Sequence, residues 1–240
     1  MNLKDYELNL YNELEKHNLV LTEIQLSQFQ KYADLLREWN EKMNLTAITE
    51  MHEIYVKHFL DCILPSFSVE MKGSLCDVGA GAGFPSIPLK IAYPHLKVTI
   101  VEPLQKRCTF LKHLVKELGL ENVTIENKRS EDFAKEARES FDIVSARAVA
   151  NLTMLSELCV PLVKKEGIFL AMKGASGNEE MKSAQFALDV LGCKLKCVDE
   201  YELDGAKRIN LVFDKVKKTP MKYPRMFAKI KKEPLVGNKK

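Results

Sequence analysis

The sequence predicts an α/β protein: a doubly wound, mostly parallel seven-stranded sheet with an antiparallel last pair, preceded by an N-terminal helical extension. Three observations predict it. From residue 73 onward, short apolar segments alternate with amphipathic ones, the rhythm of strands and covering helices. The first of those segments runs into a glycine-rich turn, Gly79-Ala80-Gly81-Ala82-Gly83. The last two strand candidates are joined by residues 202–207 alone, which is too short for a helical crossover and long enough for a hairpin.

The elements follow in order. Residues 1–72 read as helices. Thr22-Glu23-Ile24-Gln25 is a capping box, and Leu26, Phe29, Ala33, Leu36, Trp39 and Met43 then recur at three- and four-residue steps as one apolar stripe. Trp39 on that stripe is expected in the core. Asn40 and Asn44 share a face before a chain reversal, where they either fix backbone or approach a ligand. A third helix is expected over 52–64, ended by Pro65. Strands are expected at 74–78, 97–102, 123–126, 142–146, 167–173, 194–201 and 208–216, with helices at 105–118, 153–163 and 179–191 between them. The chain thus divides into a helical extension (1–72), an α/β domain (73–216) and a basic tail (217–240) expected to be irregular or mobile.

Composition bounds the class. A 240-residue chain that is 46% hydrophobic and 29% charged can bury a core without staples. No apolar run approaches the roughly 20 residues that span a bilayer. The opening residues lack a signal-peptide core, so a cytoplasmic protein that meets no membrane is expected. The six cysteines are scattered without metal-ligand spacing, so reduced thiols and no metal site are expected. Between Lys215 and Lys240 ten basic residues face one acid, Glu233, giving this segment +9 and leaving −6 on the rest of a chain of net +3. A basic tail on an acidic body suits a polyanionic partner or a merely solvated end.

The turn after the first strand locates a ligand site, because open parallel sheets bind at the carboxyl ends of their strands. Phe84 stands where a dinucleotide fingerprint starting at Gly79 requires its third glycine, and the glycines fall at every second residue instead. That pattern suits S-adenosylmethionine, which has no phosphate. Asp77 is placed to receive its ammonium group. Glu102, at the end of the second strand, is placed to take both ribose hydroxyls. Ser130 and Glu131 follow the third strand, where adenine would lie.

The chain resembles the bacterial ribosomal RNA small subunit methyltransferase G family (RsmG/GidB). The carriers are Trp39 through Ile48, His58-Phe59-Leu60-Asp61, Cys76 through Pro85, Lys128-Arg129-Ser130-Glu131, Ser145-Ala146-Arg147-Ala148-Val149, Met172-Lys173-Gly174 and Arg208-Ile209-Asn210-Leu211-Val212. The resemblance implies a Rossmann-like, class I methyltransferase fold acting on 16S ribosomal RNA or the small ribosomal subunit; a monomer is expected. It implies 7-methylguanosine in the decoding-region loop as product. It adds Gly79, Phe84, Ser130, Glu131 and Arg147 as cofactor contacts, to which the glycine turn itself adds Gly81. Arg129, Lys173 and Arg208 match basic positions around RNA or the active site. Ser130 departs from the family's usual alanine.

The chemistry needs little else. Guanine N7 carries an in-plane lone pair and no proton, so positioning and water exclusion suffice without a general base. Rival chemistries lack their marks: no Asn/Asp-Pro-Pro-aromatic loop follows the fourth strand, and the nearest thiol for base attack, Cys159, falls mid-helix. Arg147 and Lys173, at the ends of the fourth and fifth strands, are the expected residues around methyl transfer. An arginine on both N7 and O6 would block the reacting atom. Arg147 is therefore expected on phosphate or O6, or as a clamp within the protein. His58 and Asp61 share a helix face, as an acid–base pair or as a tie to a neighbouring element. A non-catalytic RNA-binding or assembly protein keeping a cofactor pocket is the alternative from another class.

Overall fold

The computed structural model describes residues 3–147 and 149–237. Helices α1 (Asp5–Glu15) and α2 (Glu23–Met43) open the chain. The capping box forms: the Gln25 N–H donates to the Thr22 hydroxyl at 3.3 Å, and the Thr22 N–H donates to Gln25 Oε1 at 2.8 Å. Leu26, Phe29, Ala33 and Leu36 are buried, while Trp39 is only half-buried against Phe110 and His113. Asn40 accepts from the Thr46 N–H at 2.8 Å, and Asn44 ends α2 in the left-handed region at φ 49°. Both asparagines therefore fix the reversal.

The third helix differs from its expected form. It is a continuous run of α3 (Met51–Glu53), a π-helical segment Ile54–Leu60 and α4 (Asp61–Ile63), closed by a 3₁₀ turn Leu64–Phe67. Pro65 lies inside that first turn, where its missing N–H leaves no bond unmade. The wide π turns change which side chains share a face, and such segments recur at functional sites.

The α/β part runs β1 (Ser74–Val78), α5 (Ser86–Ala92), β2 (Lys97–Val101), α6 (Gln105–Glu117), β3 (Val123–Glu126), α7 (Ser130–Glu136), β4 (Phe141–Arg147), α8 (Leu152–Cys159), β5 (Val163–Lys173), α9 (Gly177–Leu191), β6 (Cys193–Leu203) and β7 (Ala206–Lys215), then α10 (Phe227–Lys232). The strands form one sheet in the order β3-β2-β1-β4-β5-β7-β6, parallel except for β7, which is antiparallel to both neighbours. The order reverses between β1 and β4, the crevice where such sheets bind ligands.

Alternation along the strands builds two cores. Leu75, Ile143 and Leu170 face a cluster with Phe29, Leu36, Phe59, Ile87 and Phe110 from the N-terminal helices, α5 and α6. Cys76, Val144, Phe169 and Ala171 face the other way, onto α8, α9 and α10. All six cysteines are free thiols, and no cluster of metal-ligating side chains occurs among the described residues. No described helix is long and apolar enough to cross a membrane.

Apart from α10 the basic tail is irregular through residue 237, as expected, but it packs on the domain. Tyr223 and Ile230 are buried in the second core. Arg225 grips the buried carboxylate of Glu157 through Nε at 2.8 Å and Nη2 at 2.6 Å. Arg138 donates to the carbonyls of Thr219, Pro220 and Tyr223. The Lys215 ammonium is wholly enclosed, donating to Glu139, Thr219 Oγ1 and the carbonyls of Val160 and Val163. Two of the ten cations from Lys215 onward therefore serve the fold, Arg225 in the tail and Lys215 at the end of β7. Lys239 and Lys240 lie outside the described residues.

Candidate active site

Two clefts adjoin at the carboxyl edge of the sheet, and Val149 lines both. The first holds about 740 Å³ and is walled by the loops after β1, β2 and β3. Gly79 lies at its base with φ +74°, and a Cβ there would sit 2.8 Å from Val149 Cγ2. Any side chain would therefore push Val149 away as well as strain the backbone. Glu102 is 1% exposed and still lines the cleft. Its carboxylate is aimed by two backbone donors, Gly81 N–H at 3.1 Å and Leu104 N–H at 2.9 Å. Each oxygen accepts one backbone N–H, and the Arg107 guanidinium lies 3.7 Å from Oε2, beyond hydrogen-bond distance, so a diol could still bind across both oxygens.

Ser130 and Glu131 line this cleft as expected. The Ser130 hydroxyl is committed to the Leu158 carbonyl at 2.6 Å, and Glu131 accepts from the Phe227 N–H at 3.2 Å. Arg129 stands at the rim, its guanidinium 5.9 Å from the Phe227 ring. It lines this cleft and not the second.

Four expected cofactor contacts, Asp77, Gly81, Phe84 and Arg147, do not line this cleft. Asp77 lies beneath the turn, fully buried, and does not line the cleft. Its Oδ2 accepts from the Ser86 N–H at 3.0 Å, which anchors the start of α5 to β1. Burial pushes its carboxyl up to about 7. A strand-end acid can point to either face of the sheet, and this one points inward. Gly81 acts through its N–H on Glu102 rather than at the wall. Phe84 belongs to an aromatic stack, 4.3 Å from the His58 ring and 5.5 Å from Tyr32, with the Arg147 guanidinium 5.6 Å above it.

The second cleft, about 470 Å³, holds Arg147, Lys173 and Arg208 with Asp61, Asn151, Glu180 and Asn210. Arg147 thus faces this cleft and not the cofactor side. Its guanidinium donates to His58 Nδ1 and to the Lys57 carbonyl at 3.0 Å each, and lies 3.4 Å from Asp61 Oδ2. Because Arg147 can only donate, His58 Nδ1 is an acceptor and its Nε2–H donates to Thr46 Oγ1 at 2.9 Å. Burial and the adjacent Arg147 charge hold His58 down at about 3, so the ring is neutral. His58 and Asp61 are therefore a tie. The π turns bring both onto one arginine, and Asp61 Oδ1 also accepts from Arg208 Nε at 2.9 Å. Lys173 pairs with Glu180 at 2.8 Å and donates to the Ala150 carbonyl at 2.6 Å.

Some lining residues escaped the sequence reading. Asn151 is the N-cap of α8, accepting from the Met154 N–H at 3.1 Å, and Glu180 stands in the first turn of α9, where it meets Lys173 across the short β5–α9 connection. Phe227 reads in the sequence only as one of two aromatics, with Tyr223, among the lysines, and nothing local points it to this cleft.

A family model described as rRNA small subunit methyltransferase G matches residues 25–209. The chain is 53% identical over 232 residues, 95% of its length and 97% of theirs, to proteins named ribosomal RNA small subunit methyltransferase G from Staphylococcus aureus and Staphylococcus epidermidis. Solved structures share the fold at low identity. A ribosomal protein L11 methylase from Lactobacillus delbrueckii is 14% identical, covering 67% of this chain and 79% of that one at TM-score 0.52. TrmN from Thermus thermophilus is 16% identical, covering 65% of this chain and 48% of that one at TM-score 0.52. With nearly full-length identity above half and the two clefts in place, the chain belongs to the ribosomal RNA small subunit methyltransferase G family.

Proposed function

We propose that this protein transfers a methyl group from S-adenosylmethionine to N7 of a guanine in the decoding-region loop of 16S ribosomal RNA. The observation that carries the reading is contiguity. The cleft built by the glycine turn and Glu102 meets, at Val149, a second cleft lined by three basic side chains.

The residues present fit the cofactor. Glu102 offers a buried, pre-aimed carboxylate to a ribose diol, and its engaged N–H donors keep it from turning away. Gly79 leaves room that a Cβ would fill, and Ser130 and Glu131 border the adenine end. A cleft of this size lies within the usual range for small-molecule sites. Bound there, the cofactor supplies an activated methyl group on a sulfonium.

The second cleft positions the acceptor. Arg147, Lys173 and Arg208 outnumber Asp61 and Glu180, leaving one net positive charge for phosphate or a carbonyl oxygen. None of these groups is arranged as a base. Asp61 is held between two arginines, and Glu180 accepts from Lys173 and the Leu152 N–H. Neutral His58 has both nitrogens engaged. An acceptor without a proton to lose, such as guanine N7, suits that arrangement. Oriented approach then accounts for the rate.

Tritium transfer to 16S RNA and to small subunits lacking the modification tests the proposal. Label in 7-methylguanosine is expected. Label in another nucleoside overturns the atom, and no label with intact cofactor binding overturns the enzyme in favour of a binding protein.

A further inference from the structure

The C-terminal segment reaches the first cleft, although it lies beyond residue 209, where the family match ends. Phe227 is the single aromatic residue among the described residues that line that cleft. The same cleft that holds the acid suited to a ribose is lined by apolar side chains of Leu158, Phe227 and Leu104, the last beside Glu102 and 53% exposed. A half-open apolar slot beside a diol-binding carboxylate matches a flat ring attached to a sugar.

The position of Phe227 is fixed from both sides. Upstream, Arg225 holds Glu157 by its backbone N–H at 2.9 Å as well as by Nε and Nη2. Glu157 is 0% exposed, so this contact cannot be exchanged for water. Downstream, Ile230 is buried in the second core. Between these anchors the Phe227 N–H donates to Glu131, itself a cleft residue, and Arg129 stacks its charge toward the ring. The ring is half-buried, with part of it left at the cleft.

We infer that Phe227 is a cofactor-binding residue: its ring forms the wall against which adenine stacks, so the C-terminal strap is part of the cofactor site. The inference rests on the reading of this cleft as an adenosylmethionine site. Base–aromatic stacking of this kind is tolerant of substituents and depends on the π face rather than on bulk.

Calorimetric titration of the full chain with S-adenosylhomocysteine and with methylthioadenosine, which lacks the amino-acid portion, tests it. Phe227→Leu keeps the apolar bulk against the core and removes the π face. Binding of both ligands should weaken by roughly tenfold, with an unchanged urea midpoint for the ligand-free protein. Phe227→Tyr should bind within about twofold of wild type, since it keeps the π face. Equal affinity of Phe227→Leu and wild type overturns the inference. So does a loss confined to S-adenosylhomocysteine, which would put the ring at the amino-acid end. Failure of the wild type to bind either ligand overturns the cofactor reading itself, a result distinct from both.

Discussion

The N-terminal helices and the C-terminal strap pack on opposite faces of the sheet, and each supplies a wall to a different cleft. The N-terminal side reaches the second cleft: the π-helical segment and α4 hold Arg147 through Lys57, His58 and Asp61. The strap reaches the first cleft through Phe227. Their means of attachment differ. The N-terminal helices bury a large continuous set of apolar residues, including Phe29, Leu36 and Phe59. The strap buries few and relies on polar anchors, Arg225 on Glu157, Arg138 on three carbonyls and Lys215 on a ring of oxygens. The sheet edge alone leaves both clefts short of a wall. An apolar attachment holds through area, whereas a polar one concentrates its cost of failure in single residues.

The largest effect should therefore fall on the strap. Arg225→Ala leaves the Glu157 carboxylate buried with only a backbone donor, and removing one partner of a buried pair costs about 3–5 kcal/mol. Urea unfolding should show it, and adding Glu157→Gln should recover a large part. A loss below about 1 kcal/mol, the scale of an exposed pair, would mean that the strap is loosely held and the contrast with the N-terminal side is false.

Next comes Arg147→Ala. Loss of an orienting group should lower methyl transfer to RNA about 100-fold while cofactor affinity stays within about twofold. Single-turnover rates and calorimetry read the two quantities separately. A matching fall in cofactor affinity would return Arg147 to the cofactor contacts that the family resemblance implies and would erase the division between the clefts.

The same contrast explains what was legible. The α2 stripe, the alternation of strands and helices and the last hairpin are local periodicities, and each formed, although β5 starts at Val163 inside the helix expected over 153–163 and the hairpin strands close to a connection of residues 204–205. Gly79, Glu102, Ser130 and Glu131 line their cleft because strand ends and the loops after them are local too. What escaped was non-local or directional. The partner of Arg225 lies 68 residues away, so its segment reads as a charged tail. Asp77 stands at the right strand end but faces Ser86 rather than the cleft, and strand periodicity alone does not say which layer lies above it. The π turns that aim His58 and Asp61 at one arginine have no sequence period of their own.

A third effect tests that aim through pH. His58 is held near 3 in the folded protein by burial and by Arg147, against an unfolded value near 6.5. The unfolded chain therefore takes up a proton first. Stability is fully present above pH 6.5 and falls as pH drops toward 3, by about 2 kcal/mol at pH 5. Compared with wild type, His58→Gln should lack this part of the slope. Unfolding free energies at pH 5 and pH 7 for both proteins decide it; parallel slopes would mean that the imidazole is not sealed beside Arg147.

The smallest effect lies where the N-terminal side touches the cofactor cleft indirectly. The Tyr32 hydroxyl donates to the Ala82 carbonyl at 2.7 Å, and a Cβ on Gly83 would lie 2.9 Å from that hydroxyl. The glycine thus leaves room for a tyrosine from α2 to pin the turn from below. Tyr32 is fully buried, so Tyr32→Phe leaves a carbonyl without its donor and no water to replace it, at a cost of about 1–2 kcal/mol. Because the turn also aims Glu102 through the Gly81 N–H, cofactor affinity should fall along with stability, by a few-fold, while the Arg147 clamp is untouched. Calorimetry beside urea unfolding separates the cases. Lost stability with unchanged affinity would make α2 a support for the fold alone and leave the strap as the sole appendage that acts on the cofactor cleft.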